Sequence, residues 1–235
     1  VRDIDETTRS VAAALKDAGL TRINVSLDSL DAETFTSMTR RNSFEKVWEG
    51  IEAADAAGIR PIKINAVLIR GVNEQEVPRF ARLARERGFI PRFIEFMPIG
   101  LNDGWSRDKV VTGTEVVAAM ERATGIRLVP IESPGAQPAD RFRFEDGVGE
   151  IGFINSVSEP FCGNCNRVRV TSDGKFRTCL FSLKETDLRG LLRDGGTDEQ
   201  IADVVRGAVS RKEAGHLINE PGFVRPERTM SQIGG

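Results

Sequence analysis

The chain has 235 residues, of which 40% are hydrophobic and 29% charged, and its formal net charge is −2 at pH 7. This balance excludes a wholly disordered chain and suits one folded domain or a domain with an extension, while the near-neutral charge argues against a general nucleic-acid binder. No apolar run approaches the roughly 20 residues needed to cross a bilayer, and residues 1–20 lack a signal-peptide pattern, so we expect a cytoplasmic protein without a membrane partner.

The first 100 residues alternate helix and strand signals. Amphipathic helices, each followed by a glycine, are predicted over 8–18, 44–57 and 74–87. Strands are predicted over 22–27, 61–69 and 90–96. This alternation is the βαβ signature of parallel strands with right-handed crossovers. No G-x-G-x-x-G turn follows a strand, which weakens a Rossmann interpretation and favours an α/β fold with an incomplete (β/α) barrel.

The pattern changes from about residue 100, and we divide the chain into residues 1–112 and 113–235. The second part is expected to contain a helix, short antiparallel strands, a β-ribbon and two further helices, over 113–124, 126–154, 167–180, 184–193 and 197–210. The chain begins at a valine, and only three βα units precede the change, whereas a barrel needs about six to eight strands. We therefore expect a fragment whose upstream strands are absent.

Cys162, Cys165 and Cys179 are the only cysteines. The first two form a C-x-x-C pair, and the predicted ribbon turn would return the third beside them. An odd number fits poorly with a secreted disulfide framework, although a Cys162–Cys165 disulfide is an alternative. A structural zinc site needs four protein ligands, and the only histidine, His216, lies in the tail. The spacing leaves both a Cys₃His zinc site and an iron–sulfur cluster with an open iron as candidates.

Two arginines follow the C-x-x-C pair. Arg167 and Arg169 alternate with Val168 and Val170, so on a strand both guanidinium groups would project from one face. Such groups suit phosphate or carbonyl oxygens, and the alternative is an ordinary solvated strand face.

The cysteine region carries a family resemblance. GFINSVSEPFCGNCNRVR (152–169) and DGKFRTCLF (173–181) resemble the carboxy-terminal cluster region of the GTP 3′,8-cyclase family. This is the molybdenum-cofactor biosynthesis protein A family of the radical S-adenosylmethionine (SAM) superfamily. Other stretches agree with it in order, over roughly residues 11–235: NVSLDSL (24–30), KINAV (63–67), GVN (71–73), FIEFMPI (93–99) and the terminal Gly234-Gly235.

The resemblance implies an incomplete (β/α)₆ barrel with two [4Fe–4S] clusters. One cluster, on a C-x-x-x-C-x-x-C loop, binds and cleaves SAM to a 5′-deoxyadenosyl radical. That radical removes the ribose 3′-hydrogen of GTP, and the sugar carbon then joins guanine C8, in molybdenum cofactor synthesis. The second cluster binds guanine through an iron without a cysteine, and Cys162, Cys165 and Cys179 would be its ligands. Residues 1–112 would belong to the barrel, and 113–235 to the cluster region.

Further roles follow from the same resemblance. The positions that would contact GTP are Lys63, Arg167, Val168 and Arg169, with Arg92 a weaker candidate. Those that would line the SAM pocket are Ser26 and Met97, at or just past the carboxy ends of predicted strands, where barrel sites are built. Gly234 and Gly235 would enter the barrel and assist catalysis, since glycine lets the backbone approach a ligand closely. The family also implies a homodimer and hand-over of the product to cyclic pyranopterin monophosphate synthase.

One departure from the family is large. No C-x-x-x-C-x-x-C occurs in the chain, so the SAM-cleaving cluster cannot form from its cysteines, and we expect no turnover by this chain alone. Two rival interpretations stay open. The first is a non-catalytic zinc-ribbon binding module on a degenerate barrel, and the second is another radical SAM maturase with a peptide substrate.

Overall fold

The computed structural model describes residues 4–100, 104–132 and 137–233. The chain divides into two compact units. The first comprises Val1–Phe96 with Asp108–Ser156, and the second comprises Met97–Arg107 with Val157–Gly235. Across the described ranges, no helix is long and apolar enough to span a bilayer.

The first unit is a mixed α/β structure. Its helices are α1 (Glu6–Asp17), α2 (Ala32–Thr39), α3 (Phe44–Ala56), α4 (Val77–Arg87) and α5 (Gly113–Thr124). Its strands are β1 (Ile23–Ser26), β2 (Ile62–Leu68), β3 (Ile90–Glu95), β4 (Leu128–Ile131), β5 (Asp140–Phe144) and β6 (Glu150–Ile154). They form one sheet in the order β1-β2-β3-β6-β5-β4. The first four strands in that order are parallel, which confirms the predicted α/β class with a parallel sheet.

The predicted helices and strands of the first 100 residues are present, but α2 was missed. Asp31 begins this helix by accepting a hydrogen bond from the Thr34 backbone N–H at 2.9 Å. The helix has only eight residues and buries a single side chain, Phe35, so its sequence carries little periodicity.

The sheet has two chemically different faces. The residues of β2 that face the core are all buried: Ile62, Ile64, Ala66 and Leu68. They belong to one hydrophobic cluster with Ile51 of α3 and Phe80 of α4. Because side chains alternate along a strand, Lys63, Asn65 and Val67 point to the opposite face. That face carries the polar side chains of β2.

β6 joins the two halves of the sheet. The expected antiparallel strands of residues 126–154 are present as β4, β5 and β6, with β5 antiparallel to both neighbours. β6 also pairs in parallel with β3, in a register that places Phe93 opposite Phe153. This pairing joins residues 60 positions apart in the sequence and was not predicted.

The second unit contains a small antiparallel sheet, β7 (Arg169–Val170), β8 (Lys175–Arg177) and β9 (Thr186–Asp187), followed by α6 (Leu188–Arg193) and α7 (Asp198–Ser210). Its core is Phe176, Leu188 and Ala208. The strands are shorter than predicted, so Arg167 precedes β7 and Cys179 follows β8. The helix predicted from residue 184 begins at Leu188, because Thr186 and Asp187 pair with β8 instead.

Candidate functional site

Cys162, Cys165 and Cys179 all lie in the second unit, on two separate loops. Cys162–Asn164 forms one 3₁₀ turn, and the Cys165 backbone N–H donates to the Cys162 carbonyl oxygen at 3.1 Å. Cys179 lies just after β8, and its carbonyl oxygen accepts from Ser182 at 3.2 Å. All three are half-buried free thiols, so the alternative of a Cys162–Cys165 disulfide is wrong for this structure.

The thiols differ in how readily they ionise. Burial disfavours the Cys165 thiolate, but hydrogen bonds from the side chain and backbone of Arg167 outweigh it, and the pKa of Cys165 lies below its ordinary value. Burial raises the pKa of Cys179, and the negative charges of Glu213 and Cys162 act in the same direction. A bound metal would therefore meet one thiol, Cys165, that ionises more readily than usual and one, Cys179, that ionises less readily.

Arg167 and Arg169 reach the cysteines in different ways. Arg167 lies over the Phe161 ring, with its guanidinium carbon 4.8 Å from the ring centroid. Arg167 precedes β7, so the two arginines do not lie on one strand as expected. Arg169 is in β7, close enough to Cys165 and Cys179 for their charges to act on its pKa, which burial lowers. Its buried Nε has no hydrogen-bond partner among the residues described. Val168, between them, is exposed.

This donor set fits a thiolate-bound, electron-rich cluster, because the buried Nε of Arg169 has no hydrogen-bond partner in the described residues and the charges of Cys165 and Cys179 act on the same side chain. In the ranges that the structure describes, no three His, Cys, Asp or Glu side chains are grouped so as to hold one metal ion. In the described residues, neither the three cysteines alone nor the Cys₃His set meets this condition. His216 instead packs on Phe181, with ring centroids 4.9 Å apart. A four-iron cluster binds each cysteine to a different iron, and the assignment of the three cysteines to it stays a prediction.

Met97 also belongs to the second unit, where it is half-buried just after β3. The carboxy-terminal tail lies along the segment that follows it. Gly100 donates its backbone N–H to the Pro226 carbonyl oxygen at 3.2 Å, and Arg225 donates to the Trp105 carbonyl oxygen at 3.0 Å. The predicted catalytic pair Gly234 and Gly235 lies outside the described residues.

Ser26 and Lys63 lie in the first unit on neighbouring parallel strands. The register pairs Ser26 with Asn65, and Asn65 in turn with Arg92 of β3. Lys63 is two residues before Asn65, so all four side chains project from the polar face of the sheet. The structure therefore brings Ser26, Lys63 and the weaker candidate Arg92 to one surface.

The polar face is cationic. Burial lowers the pKa of Lys63, and the neighbouring charges of Arg92 and Arg141 lower it further, against the opposing effect of Glu150. Arg141 is itself paired with Glu150 through two hydrogen bonds of 2.7 and 2.8 Å. Lys63 and Arg92 thus form a concentration of positive charge that suits an anionic ligand such as a phosphate.

Gly152 makes room for Arg92. A Cβ at Gly152 would lie 3.1 Å from Cγ of Arg92, closer than ordinary van der Waals contact. On the same face, the Oδ1 atom of Asn65 is buried without a hydrogen-bond partner among the described residues. The alternation in KINAV could have identified Asn65 together with Lys63. No local signal identifies Lys212 and Glu213, which contact the cysteine loops from the segment after α7.

Two family profiles cover most of the chain. The profile of the Radical SAM superfamily matches residues 3–84. The profile described as Molybdenum Cofactor Synthesis C matches residues 90–218, which is more than half of the chain.

Relatives with a known name are similar over almost the whole chain. GTP 3′,8-cyclase of Corynebacterium glutamicum is 46% identical over 229 residues, which cover 95% of this chain and 60% of that protein. GTP 3′,8-cyclase of Streptomyces coelicolor is 43% identical over 227 residues, covering 97% and 67%. That of Mycobacterium ulcerans is 44% identical over 243 residues, covering 99% and 67%. The chain thus spans about 60% of the length of the corynebacterial relative.

Proposed function

The chain belongs to the GTP 3′,8-cyclase family of the radical SAM superfamily, and from this we propose that it carries the GTP-binding part of that enzyme's active site. The reaction would be the radical SAM conversion of GTP to 3′,8-cyclo-7,8-dihydroguanosine 5′-triphosphate in molybdenum cofactor synthesis. In this proposal the parallel sheet is part of an incomplete (β/α) barrel over residues 1–112, and residues 113–235 carry the cluster-binding ribbon.

Cys162, Cys165 and Cys179 would hold a [4Fe–4S] cluster. Once bound, such a cluster supplies an iron without a cysteine ligand, to which a nitrogen or oxygen of guanine can bind. The observation that carries the proposal is the buried Nε of Arg169. This atom has no hydrogen-bond partner among the described residues, and the charges of Cys165 and Cys179 act on the same side chain. A buried N–H donor of this kind is costly unless a ligand satisfies it, and sulfide or guanine carbonyl oxygen would do so.

The remaining site residues are assigned by charge and position. Lys63 would bind the triphosphate, supported by its place on the cationic face next to Arg92. Arg167, Val168 and Arg169 would contact GTP from the cysteine loop. Ser26 and Met97 would line the SAM pocket, and Gly234 and Gly235 would assist catalysis.

Radical formation needs cysteines that this chain does not contain, because no C-x-x-x-C-x-x-C motif occurs in it. We therefore propose that the chain alone binds GTP without cleaving SAM. The family partners would be a second copy in a homodimer, and cyclic pyranopterin monophosphate synthase as the recipient of the product.

Anaerobic reconstitution with iron and sulfide tests the cluster. We expect about four irons per chain and the EPR signal of a reduced [4Fe–4S] cluster, both lost in C162S, C165S and C179S. H216A is the matched control and keeps its iron. Stoichiometric zinc that depends on His216 would instead support the zinc-ribbon module.

GTP titration of the reconstituted chain tests the substrate. Guanine binding at the cluster should change its EPR spectrum. Binding of a peptide in place of GTP would support the rival maturase, and cleavage of SAM by the chain alone would contradict the proposed inactivity.

A further inference from the structure

One short segment after α7 contacts all the stretches that carry the cysteines. This segment is residues 212–215, which follow the end of α7 at Ser210. It has no regular secondary structure, yet three of its four residues, Lys212, Glu213 and Gly215, make close contacts with the cysteine loops.

Lys212 connects the two cysteine loops directly. Its Nζ donates a hydrogen bond to the carbonyl oxygen of Arg167 at 2.8 Å and another to the carbonyl oxygen of Thr178. Arg167 lies two residues after Cys165, and Thr178 immediately precedes Cys179. An ammonium group has three donors and no acceptor, so it is suited to bridging two carbonyl oxygens.

Glu213 and Gly215 complete the contacts. The Glu213 carboxylate accepts hydrogen bonds from the hydroxyl groups of Thr178 at 2.9 Å and Ser182 at 2.7 Å, on either side of Cys179. At Gly215, a Cβ would lie 3.8 Å from Sγ of Cys162. The backbone at Gly215 therefore passes next to the third thiol.

The bridge lies where the strand ladder ends. The pairing of β7 with β8 covers Arg169 with Arg177 and Val170 with Phe176, and the cysteines lie beyond it. Past Arg169 and Arg177, this ladder has no further backbone pair among the described residues that would fix the distance between the two segments. The two hydrogen bonds of Lys212 span this open end.

We propose that Lys212 is a positioning residue for the cysteine site, which sets the separation of the Cys165 and Cys179 loops by bridging the carbonyl oxygens of Arg167 and Thr178. The metal part of this inference rests on the proposed cluster, whereas the bridge itself is a property of the metal-free chain. Lys212 touches no substrate and acts only through the loops that it holds.

The test compares K212M, K212Q and K212R with the parent chain. Amide hydrogen exchange of the metal-free protein should become about ten times faster or more in both loops, 165–169 and 178–182, in K212M and K212Q. K212R should restore protection, because a guanidinium can also donate to two carbonyl oxygens. K46M replaces an exposed lysine on α3 and is the matched control.

Anaerobic iron reconstitution is then measured on the same variants. We expect the iron content of K212M and K212Q to fall to less than half of the parent value, with K212R and K46M unchanged. Exchange within β2 must stay at the parent level, which separates loss of the bridge from loss of the fold, and the milder K212Q serves if K212M does not fold.

Several results would overturn the proposal. Unchanged exchange in K212M, or faster exchange in only one of the two loops, would show that Lys212 does not bridge them. Faster exchange in both loops with full iron content would reject its role in positioning the ligands. If the parent chain takes up no iron, the cluster proposal fails, while the exchange data still decide whether the bridge exists.

Discussion

Arg228 makes two hydrogen bonds to the carboxylate of Asp173, from Nη1 to Oδ1 at 3.2 Å and from Nη2 to Oδ2 at 2.9 Å. Asp173 is in the turn between β7 and β8, and Arg228 is in the carboxy-terminal tail. Arg228 also donates to Glu185 at 2.9 Å. Arg228 therefore joins the tail to the small sheet that precedes Cys179. Its planar guanidinium group suits two-point contact with carboxylates.

Acid should weaken the ion pair between Arg228 and Asp173. Hydrogen bonds from Arg228 and then from Thr171 hold the pKa of Asp173 well below its usual range. A depressed folded-state pKa stabilises the fold above the unfolded pKa of 3.8, and that stabilisation is lost as the pH falls through the folded pKa. We expect D173N to be less stable than the parent at pH 7, with the difference shrinking below about pH 4.

Urea unfolding at pH 7 and pH 3 measures this effect. The control is D203N, because Asp203 pairs with Arg206 on an exposed face of α7, where an ion pair contributes little. A D173N midpoint that differs equally from the parent at both pH values would contradict the linkage.

Asp28 should have the opposite pH dependence. Burial raises the pKa of its carboxyl group, although its Oδ1 accepts a hydrogen bond from the Val67 backbone N–H at 2.9 Å. A raised folded-state pKa means that stability is greatest below the unfolded pKa and decreases as the pH rises through the folded value. D28N keeps an acceptor for Val67 and removes the buried charge.

We therefore expect D28N to be more stable than the parent at pH 7, with little difference near pH 3. Thermal unfolding at the two pH values provides the measurement. Lower stability of D28N at pH 7 would mean that the charged form of Asp28 is favourable in the fold.

Asn73 should be important for stability because it satisfies three backbone groups. Its Nδ2 donates to the carbonyl oxygens of Asp28 at 2.6 Å and Val67 at 2.8 Å, and its Oδ1 accepts from Ile69 at 2.8 Å. Asn73 is fully buried, so N73A removes three hydrogen bonds from a site closed to water. We expect a loss of about 2 kcal/mol or more in the free energy of unfolding.

N73D tests the direction of these bonds. An aspartate can accept from Ile69 but cannot donate to the two carbonyl oxygens, so we expect it to be destabilising as well. N42A, at an exposed position, is the control and should change the free energy of unfolding by less than about 0.5 kcal/mol. Parent-like unfolding of N73D would show that its two donor contacts contribute little.

Lys63 should distinguish phosphorylated from unphosphorylated ligands. Losing one charge-assisted hydrogen bond to the triphosphate should weaken GTP binding by K63M about tenfold or more, with guanosine binding unchanged. Calorimetric titration of both ligands measures this, with K46M as the control. An equal loss for GTP and guanosine would contradict a phosphate contact.

Much of the first unit was predictable because its signals are local. The alternation of β2 separates buried Ile64 from polar Lys63, and helices ended by glycine mark the βα units. The same alternation could have identified the polar face, although Lys63 was assigned from the family resemblance. Short α2 was missed because eight residues with one buried side chain have no clear period.

The cysteine region was harder to predict because its strands are short and its contacts distant. A regular ribbon was expected to carry both Arg167 and Arg169, but the strand begins at Arg169, so the predicted strand bounds were wrong. Arg167 approaches Cys165 through its own loop instead.

The sequence by itself determined the kinds of groups present: three thiols, two nearby arginines and a strand that alternates apolar with polar residues. Only the tertiary structure decided which of them meet. Lys212 reaches the carbonyl oxygen of Arg167 across 45 residues, and β6 pairs with β3 from a distant part of the chain. The reason is physical: residue type and periodicity act over a few neighbours, whereas a lysine bridge or a strand register depends on how separate segments pack, which no local pattern encodes.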